Sequence, residues 1–350
     1  MHLSSLRRFL SGLLILTTAL LAGRAALAEW DNYQCAAAAQ NGVAQLRLAL
    51  AAAEMVSRER GPANGMLGDG TPPQPQRRLA LAEARARTDS AFSDLQRVLA
   101  PARDDDTRWQ LAGTQFKAAQ TALRDARAEV DRIAALAQPE REPEALRAAV
   151  RGMVAVVPLL APALSVLADN TQRDQPALAN EVQGARLVAE LREYAGLLGS
   201  HFTAALTRQQ PLTSDERSAI DRTRGRIDQL RFLVALQVQA TTASPATSQA
   251  WQAVGERYFG QAQQLVDRVI AAGQSHGQYG MDPAEFAGRY VPDMNTMFAV
   301  RDALLTQAAS RAAEQRVAAG LALLLVAIGV ALLAAVLAAT LALSRRRYRP

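Results

Sequence analysis

The sequence predicts an all-α protein: two stacked up-and-down four-helix bundles between two membrane-associated helices. Three observations predict it. Strong helix formers (Ala, Leu, Arg, Gln, Glu) dominate the chain, while aromatic residues are 5% and β-branched residues are sparse. Apolar residues recur with a period between 3.5 and 3.6 over most of residues 29–316. Two uncharged apolar runs, Phe9 to Gly23 and Val317 to Ser344, bracket that region.

The second run holds twenty-eight residues without a charge, followed by Arg345, Arg346, Arg347 and Arg349. About 20 apolar residues span a bilayer, so residues 317–344 are expected to form a transmembrane helix, with 345–350 a basic cytoplasmic tail. The first run is fifteen residues long and lies between Arg8 and Arg24. Together with Ala26-Leu27-Ala28 before Glu29, residues 1–28 read as a cleaved signal peptide or as a retained anchor reaching about Trp30. The lack of a Gly/Pro break after Gly23 favours the anchor. A third uncharged run, Gly152 to Ala168, contains Pro158 and Pro162 and reads as a buried, kinked helix.

A net charge of +6 and a pI near 10 suggest a nucleic-acid partner until the charges are located. Seven of the 39 basic residues flank the apolar runs: Arg7, Arg8, Arg24 and the four C-terminal arginines. The remaining 32 stand against all 33 acidic residues within 29–316, a net charge of −1. The basic excess therefore follows the positive-inside rule, placing the chain in a bacterial inner membrane with residues 29–316 in the periplasm and the C-terminus in the cytoplasm. Nucleic-acid binding loses its electrostatic basis.

Within that outer region the elements follow in order. Helix 1 runs from the membrane to about Arg60, and the Gly- and Pro-rich stretch from Gly61 to Pro75 breaks it. Helix 2 covers about Gln76 to Leu99. Helix 3 starts after Asp104-Asp105-Asp106, acidic residues suited to a helix N-terminus. Its apolar positions Phe116, Ala119, Leu123, Ala126, Val130 and Ile133 form a heptad seam. Helix 4 is the kinked segment Glu144 to Ala168, and helix 5 runs from about Ala177 to Leu206. Helix 6 begins at the capping box Thr213-Ser214-Asp215-Glu216 and carries Ile220, Ile227, Leu230, Val234 and Val238. Helix 7 carries Trp251, Val254, Tyr258, Leu265 and Val269. Helix 8 has Asp282 as N-cap and Pro283 at N1, and no evident terminator before the second span. A shift of 139 residues lays Leu67 on Leu206, Arg85 on Arg224 and Asp89 on Asp228, which suggests an internal duplication, about 29–170 and 171–316.

Chemistry-bearing motifs are few. Cys35 is the only cysteine, and His2, His201 and His276 are scattered, so neither a metal centre nor a cofactor is expected. No nucleophile elbow, Walker loop or dinucleotide fingerprint occurs in the outer region, and no enzymatic activity is expected. The segment Val56 to Gly68, with Arg58-Glu59-Arg60 before Gly61-Pro62, admits two readings. It is a helix terminus with arginines favouring the C-terminal dipole, or a site where the Arg60 donor fork and freed backbone groups hold an anion.

Glu59-Arg60-Gly61-Pro62-x-Asn64 after a long amphipathic helix resembles the start of nitrate- and nitrite-sensing (NIT) helical sensor domains. Such domains occur in bacterial chemoreceptors, sensor histidine kinases and diguanylate cyclases. Leu191-Arg192-Glu193-Tyr194-Ala195-Gly196, Arg224-Gly225-Arg226-Ile227-Asp228 and the stretch from Phe286 to Asp302 resemble related ectodomains. The resemblance implies two stacked four-helix bundles, often dimeric, that bind a small ligand and pass a conformational change to the membrane. It implies arginines as anion ligands, with nitrate, nitrite or another small anion as the ligand.

The ligand-binding residues expected are Arg60, Glu59, Asn64 and Arg289. At 1.5 Å per residue, Arg60 lies about 54 Å along helix 1 from Arg24, and Arg301 about 24 Å above Val317 on helix 8. Straight helices cannot bring those two together. Arg289 is nearer the right height, and Arg301 is expected to be structural or signalling. Because the chain stops at Pro350, the output is expected in a separate protein acting in trans, unless the chain is a receptor remnant or a stand-alone binding protein. The rival expectation is a ligand-free structural or scaffolding helical membrane protein.

Overall fold

The computed structural model describes residues 2–100, 106–240 and 244–347, and every regular element among them is helical. The chain forms two compact units, one of Met1–Asn41 with Ala309–Pro350 and one of Gly42–Ala308. The α-helices are α1 (His2–Gly68), α2 (Pro75–Leu99), α3 (Thr107–Ala134), α4 (Pro143–Val154), α5 (Ala161–Asp174) and α6 (Ala179–His201). They continue as α7 (Thr203–Arg208), α8 (Ser214–Ala240), α9 (Pro245–Glu256), α10 (Gln263–Ser275), α11 (Pro283–Met294) and α12 (Thr296–Arg347).

In the larger unit the heptad seam of α3 is buried throughout, from Phe116 to Ile133, and packs against α4, α5 and α2. Asp106 caps α3 by accepting from the backbone N–H groups of Arg108 and Trp109, while Asp104 and Asp105 lie outside the described residues. The five apolar positions of α8 are buried, and this helix packs against α6. Its capping box is formed: the Thr213 N–H donates to Glu216 Oε2 at 2.9 Å and the Glu216 N–H to Thr213 Oγ1 at 3.2 Å. Asp282 and Glu285 make the same reciprocal box at α11.

Four expected boundaries are corrected. α1 does not stop at Arg60 but continues to Gly68 with Pro62 inside it. Pro62 forfeits one backbone donor, but burial of Ala63, Met66 and Leu67 rewards continuation. The kinked segment divides into α4, a 3-10 turn (Val157–Leu160) and α5, with Pro158 and Pro162 each in the first turn of its piece. The expected helix 5, Ala177 to Leu206, ends as α6 at His201, and α7 restarts after Phe202. Helix 8 is interrupted at Asn295: Pro292 cannot donate within α11, and the Asn295 N–H closes on Val291 O at 2.9 Å before α12 begins. Helix 7 carries a π-turn, Arg257–Ala262, between α9 and α10. Adding 139 to the bounds of α2 gives 214–238, within α8, and to those of α3 gives 246–273, within the span of α9 to α10.

Arg141 joins the ends of α1 and α3. Its side chain is fully buried, and Nη1 donates to Leu67 O at 2.8 Å and Asp69 O at 2.6 Å. Nη2 donates to Ala134 O at 3.0 Å, Leu136 O at 2.9 Å and Thr71 Oγ1 at 3.1 Å. One guanidinium thus satisfies carbonyls that two helix C-termini leave free. Burial draws its pKa below the usual range, opposed by Asp69.

The smaller unit is described by itself. Trp30 and Tyr33 stack with ring centroids 6.1 Å apart, and Arg316 lies 5.1 Å over the Tyr33 ring and donates to its hydroxyl at 3.0 Å. Exposed apolar side chains follow on both strands of this helix pair, among them Leu16, Leu20 and Leu21 on α1 and Leu321, Leu324 and Leu325 on α12. Two segments are long and apolar enough to cross a bilayer, Pro143–Asp174 and Pro283–Val336. The apolar stretch of the first is 39% buried within the protein and that of the second 6%, so only the second lacks protein cover.

Arg141→Ala should lower the stability of the chain by about 3 kcal/mol, because several buried carbonyls lose their donor. Arg141→Lys should not restore it, since an ammonium cannot reach both helix ends. The urea midpoint of the helical circular dichroism signal measures both.

Candidate functional site

The last turns of α1 put adjacent residues on different faces. Ser57, Arg60 and Asn64, spaced by three and four, turn toward α6. Glu59 points the other way, toward α2 and α3. Arg60 is 2% exposed; its Nη1 and Nη2 donate to the two carboxylate oxygens of Glu193 at 2.6 and 2.9 Å, and Nη2 also to Ser57 Oγ at 2.5 Å. Asn64 Nδ2 lies 3.4 Å from Ser200 Oγ on α6, a long bond that leaves most of the amide's donor capacity unused.

Arg192 on α6 is the second cation. It is 3% exposed, donates through Nη1 to Ser57 Oγ, and its Nη2 lies 3.5 Å from Asn295 Oδ1. Its hydrogen-bond acceptors are a hydroxyl and an amide rather than a carboxylate. The Nε of Arg60 and the Nε of Arg192 are buried without hydrogen-bond partners. Burial pulls the Arg192 pKa down to about 10, with Arg60 and Arg58 adding repulsion against the attraction of Glu193 and Glu54. The group still carries its charge at neutral pH.

Phe298 supports this cluster. Arg58, Arg192 and Arg301 lie 4.5, 5.0 and 4.8 Å from its ring centroid. Arg301 pairs with Glu54 at 2.6 Å, and Arg58 with Glu54 at 2.7 Å. Four arginines (58, 60, 192, 301) therefore gather around two buried or half-buried carboxylates, Glu54 and Glu193. Gly196 makes the approach possible, since a Cβ there would stand 2.9 Å from Arg60 Nη2.

The cluster borders a cleft of about 440 Å³ between α1, α2, α6, α7 and α11. Its lining also holds the apolar Phe286, Tyr290, Val291 and Met294 from α11 and Leu206 from α7. Tyr290 donates to Ala195 O at 2.8 Å and lies 3.1 Å from the Tyr258 hydroxyl, which comes from the π-turn. Burial pushes the Tyr258 and Tyr290 pKa values above the usual phenol range, so both stay neutral. A second cavity of about 400 Å³ shares Ser57 and Arg192 with the first and is bounded by Glu54, Glu193 and Arg301.

Of the residues expected at the site, Arg60 and Asn64 line the cleft. Glu59 does not: it is fully buried and accepts from Arg127 Nε and Nη2 at 2.7 and 2.8 Å, with Arg85 Nε 3.7 Å away. Its one-residue offset from Arg60 turns it through about 100°. Arg289 sits on α11 at a suitable height but on the exposed face, away from the cleft lining. Arg192, Ser57, Ser200 and Asn295 were not anticipated. Arg192 stands inside the Leu191 to Gly196 motif, which was the available signal.

A solved structure described as "Structure of the NasR transcription antiterminator" matches this chain with a TM-score of 0.59 and 17% identity. The match covers 86% of this chain and 81% of that one, and at that identity it shows a shared fold. No protein-family profile and no curated protein matches the chain.

His201, next to Ser200, is held neutral: burial, then Arg222 and Arg60, lower its pKa to about 4, and Nε2 lies 3.0 Å from Thr223 Oγ1. The unfolded histidine titrates near 6.5. Its contribution to stability is thus complete above about pH 6.5 and is lost as the pH falls through about 4. His201→Gln should remove about 3 kcal/mol of the acid sensitivity in that window, read as the difference in urea midpoints between pH 7 and pH 4.

Proposed function

We propose that the chain is a non-catalytic, membrane-anchored sensory protein whose extracytoplasmic helices bind a small anion at the Arg60–Arg192 cleft. One observation carries this reading: Arg192 is a buried guanidinium over the Phe298 ring whose hydrogen bonds go to a hydroxyl and an amide, with no carboxylate within 4 Å among the described residues, beside a second buried arginine. A buried charge without a counter-ion is costly, and natural chains keep such a residue where function uses it. The resemblance of Glu59 to Asn64 to nitrate- and nitrite-sensing domains supports an anion, and the fold likeness supports the helical scaffold.

An incoming anion competes with Glu193 for Arg60. The Glu193 side chain is 21% exposed, so it has room to move away. That exchange changes how α6 holds α1, and α1 is one helix from Arg60 through its apolar N-terminal segment. A small shift of α1 relative to α12 would then be the signal, received by a dimer partner or by a separate signalling protein in trans. The periplasmic placement of the cleft rests on the arginine flanks of the apolar runs.

Thermal unfolding of the full chain in detergent, against nitrate, nitrite and small organic anions, tests this. An anion at 100-fold its Kd should add about 2.7 kcal/mol. Arg192→Met should abolish that gain and stabilise the anion-free chain by about 1 kcal/mol, as expected when an uncompensated buried charge is replaced by an apolar side chain. Full retention of the anion effect in Arg192→Met would place the site elsewhere. No stabilisation by any anion would favour a ligand-free scaffold.

A further inference from the structure

We infer that the ligand of the Arg60–Arg192 cleft is an organic monocarboxylate with an apolar, aryl-sized body, rather than a bare inorganic oxyanion. The inference rests on the anion-site reading and narrows its ligand class.

Size is the first argument. The cleft encloses about 440 Å³, within the roughly 300–1,000 Å³ of small-molecule sites. A four-atom oxyanion takes the place of one or two waters, each about 30 Å³. It would satisfy the two guanidinium groups and leave most of the cleft without contact.

The wall chemistry is the second argument. Arg60, Arg192, Asn64 and Asn295 supply charge and hydrogen-bonding capacity to the cleft, and apolar walls come from Phe286, Tyr290, Val291, Met294 and Leu206. Phe286 and Tyr290 stack with centroids 5.2 Å apart at 18°, and Phe286 meets Phe202 edge-on at 5.6 Å. The Tyr290 hydroxyl is engaged with Ala195 O and Tyr258, so this residue contributes ring carbons to the cleft. Gly199 lets the ring lie against α6: a Cβ there would come within 3.1 Å of Tyr290 Cε1. A ligand with one anionic end and one apolar end matches both kinds of lining.

Charge pairing limits the ligand to one carboxylate. Arg60 already shares Glu193, and the other lining arginines apart from Arg192 have acidic partners too. Arg58 pairs with Glu54 at 2.7 Å, Arg77 with Asp282 at 2.7 Å and Asp69 at 3.3 Å, and Arg87 with Glu83 at 3.7 Å. A second carboxylate elsewhere in the cleft would meet no unpaired cation, while an apolar group there gains roughly fourfold in affinity per buried methylene.

The test is calorimetric titration of the full chain with sodium nitrate, acetate, butanoate and phenylacetate at constant ionic strength. Affinity should rise in the order acetate, butanoate, phenylacetate, with phenylacetate at least tenfold tighter than nitrate. Ala287→Phe, at a half-buried position of the cleft wall, should collapse the phenylacetate-to-acetate ratio to within about threefold; its folding is checked by circular dichroism. Nitrate binding as tightly as phenylacetate, or an unchanged ratio in a folded Ala287→Phe, would overturn the ligand class and leave the anion site standing. If neither nitrate nor any carboxylate binds, the anion site and the ligand class fall together. The series on the unsubstituted chain decides the question even if Ala287→Phe fails to fold.

Discussion

Two opposite charges on consecutive residues of α1, Glu59 and Arg60, are both buried, and the helices around them are disposed to compensate each on its own side. Arg127 of α3 and Arg85 of α2 meet Glu59, while Glu193 of α6 meets Arg60. Removing a partner from either pair would strand a charge in the interior, at a cost of about 3–5 kcal/mol. α1 is thereby fixed between the α2–α3 layer and α6 by electrostatics as well as by its apolar stripe. Arg141 then fixes where α1 ends, by satisfying its terminal carbonyls together with those of α3.

Against that compensated background, the Arg192 region stands out. Arg58, Arg60, Arg192 and Arg301 converge on a space with two carboxylates, Glu54 and Glu193, and three of the four arginines stack on Phe298. Arg141, the buried arginine outside this group among the described residues, donates from all three guanidinium nitrogens to carbonyl and hydroxyl acceptors. The contrast sets Arg141, bonded through every guanidinium nitrogen, against Arg192, whose buried Nε has no hydrogen-bond partner. It also explains why the bulk charge of the outer region, near neutral, is no guide to what binds there. The field that an anion meets is set locally by four side chains.

Two residues join the cleft to other parts of the helical unit. Glu193 is shared, since it holds Arg60 and borders the second cavity. Tyr290 is shared too, since its ring borders the cleft while its hydroxyl meets Tyr258 in the π-turn. π-turns in α-helices recur at functional sites because one residue's worth of register is stored there. Displacing Glu193 would loosen α6 from Arg60, and displacing the Tyr290 ring would act on the π-turn between α9 and α10.

Helix class, the α3 seam, the capping box at Thr213, the Asp282 N-cap and the apolar runs were legible in the sequence, because propensity, period and caps are local. The clustering of unpaired arginine charge at the edges of the apolar runs was legible for the same reason. Local rules failed where tertiary contacts outweighed them. Gly61-Pro62 read as a stop, yet α1 continues because Ala63, Met66 and Leu67 find a core to enter. Glu59 and Asn64 read as one motif with Arg60, yet the helical turn sends Glu59 to Arg127 and only Asn64 to the cleft. Height along a straight helix selected Arg289, but rotation about the helix axis decides which side chain faces inward, and α11 turns Arg289 to solvent. The residue that completes the site, Arg192, is 132 positions from Arg60. By itself the sequence determined the helical class and the starts that local caps mark, after Asp106, at Thr213 and at Asp282. Which buried charges lack a partner was decided only by the packing of distant helices, because a counter-ion's position is a property of three-dimensional neighbours.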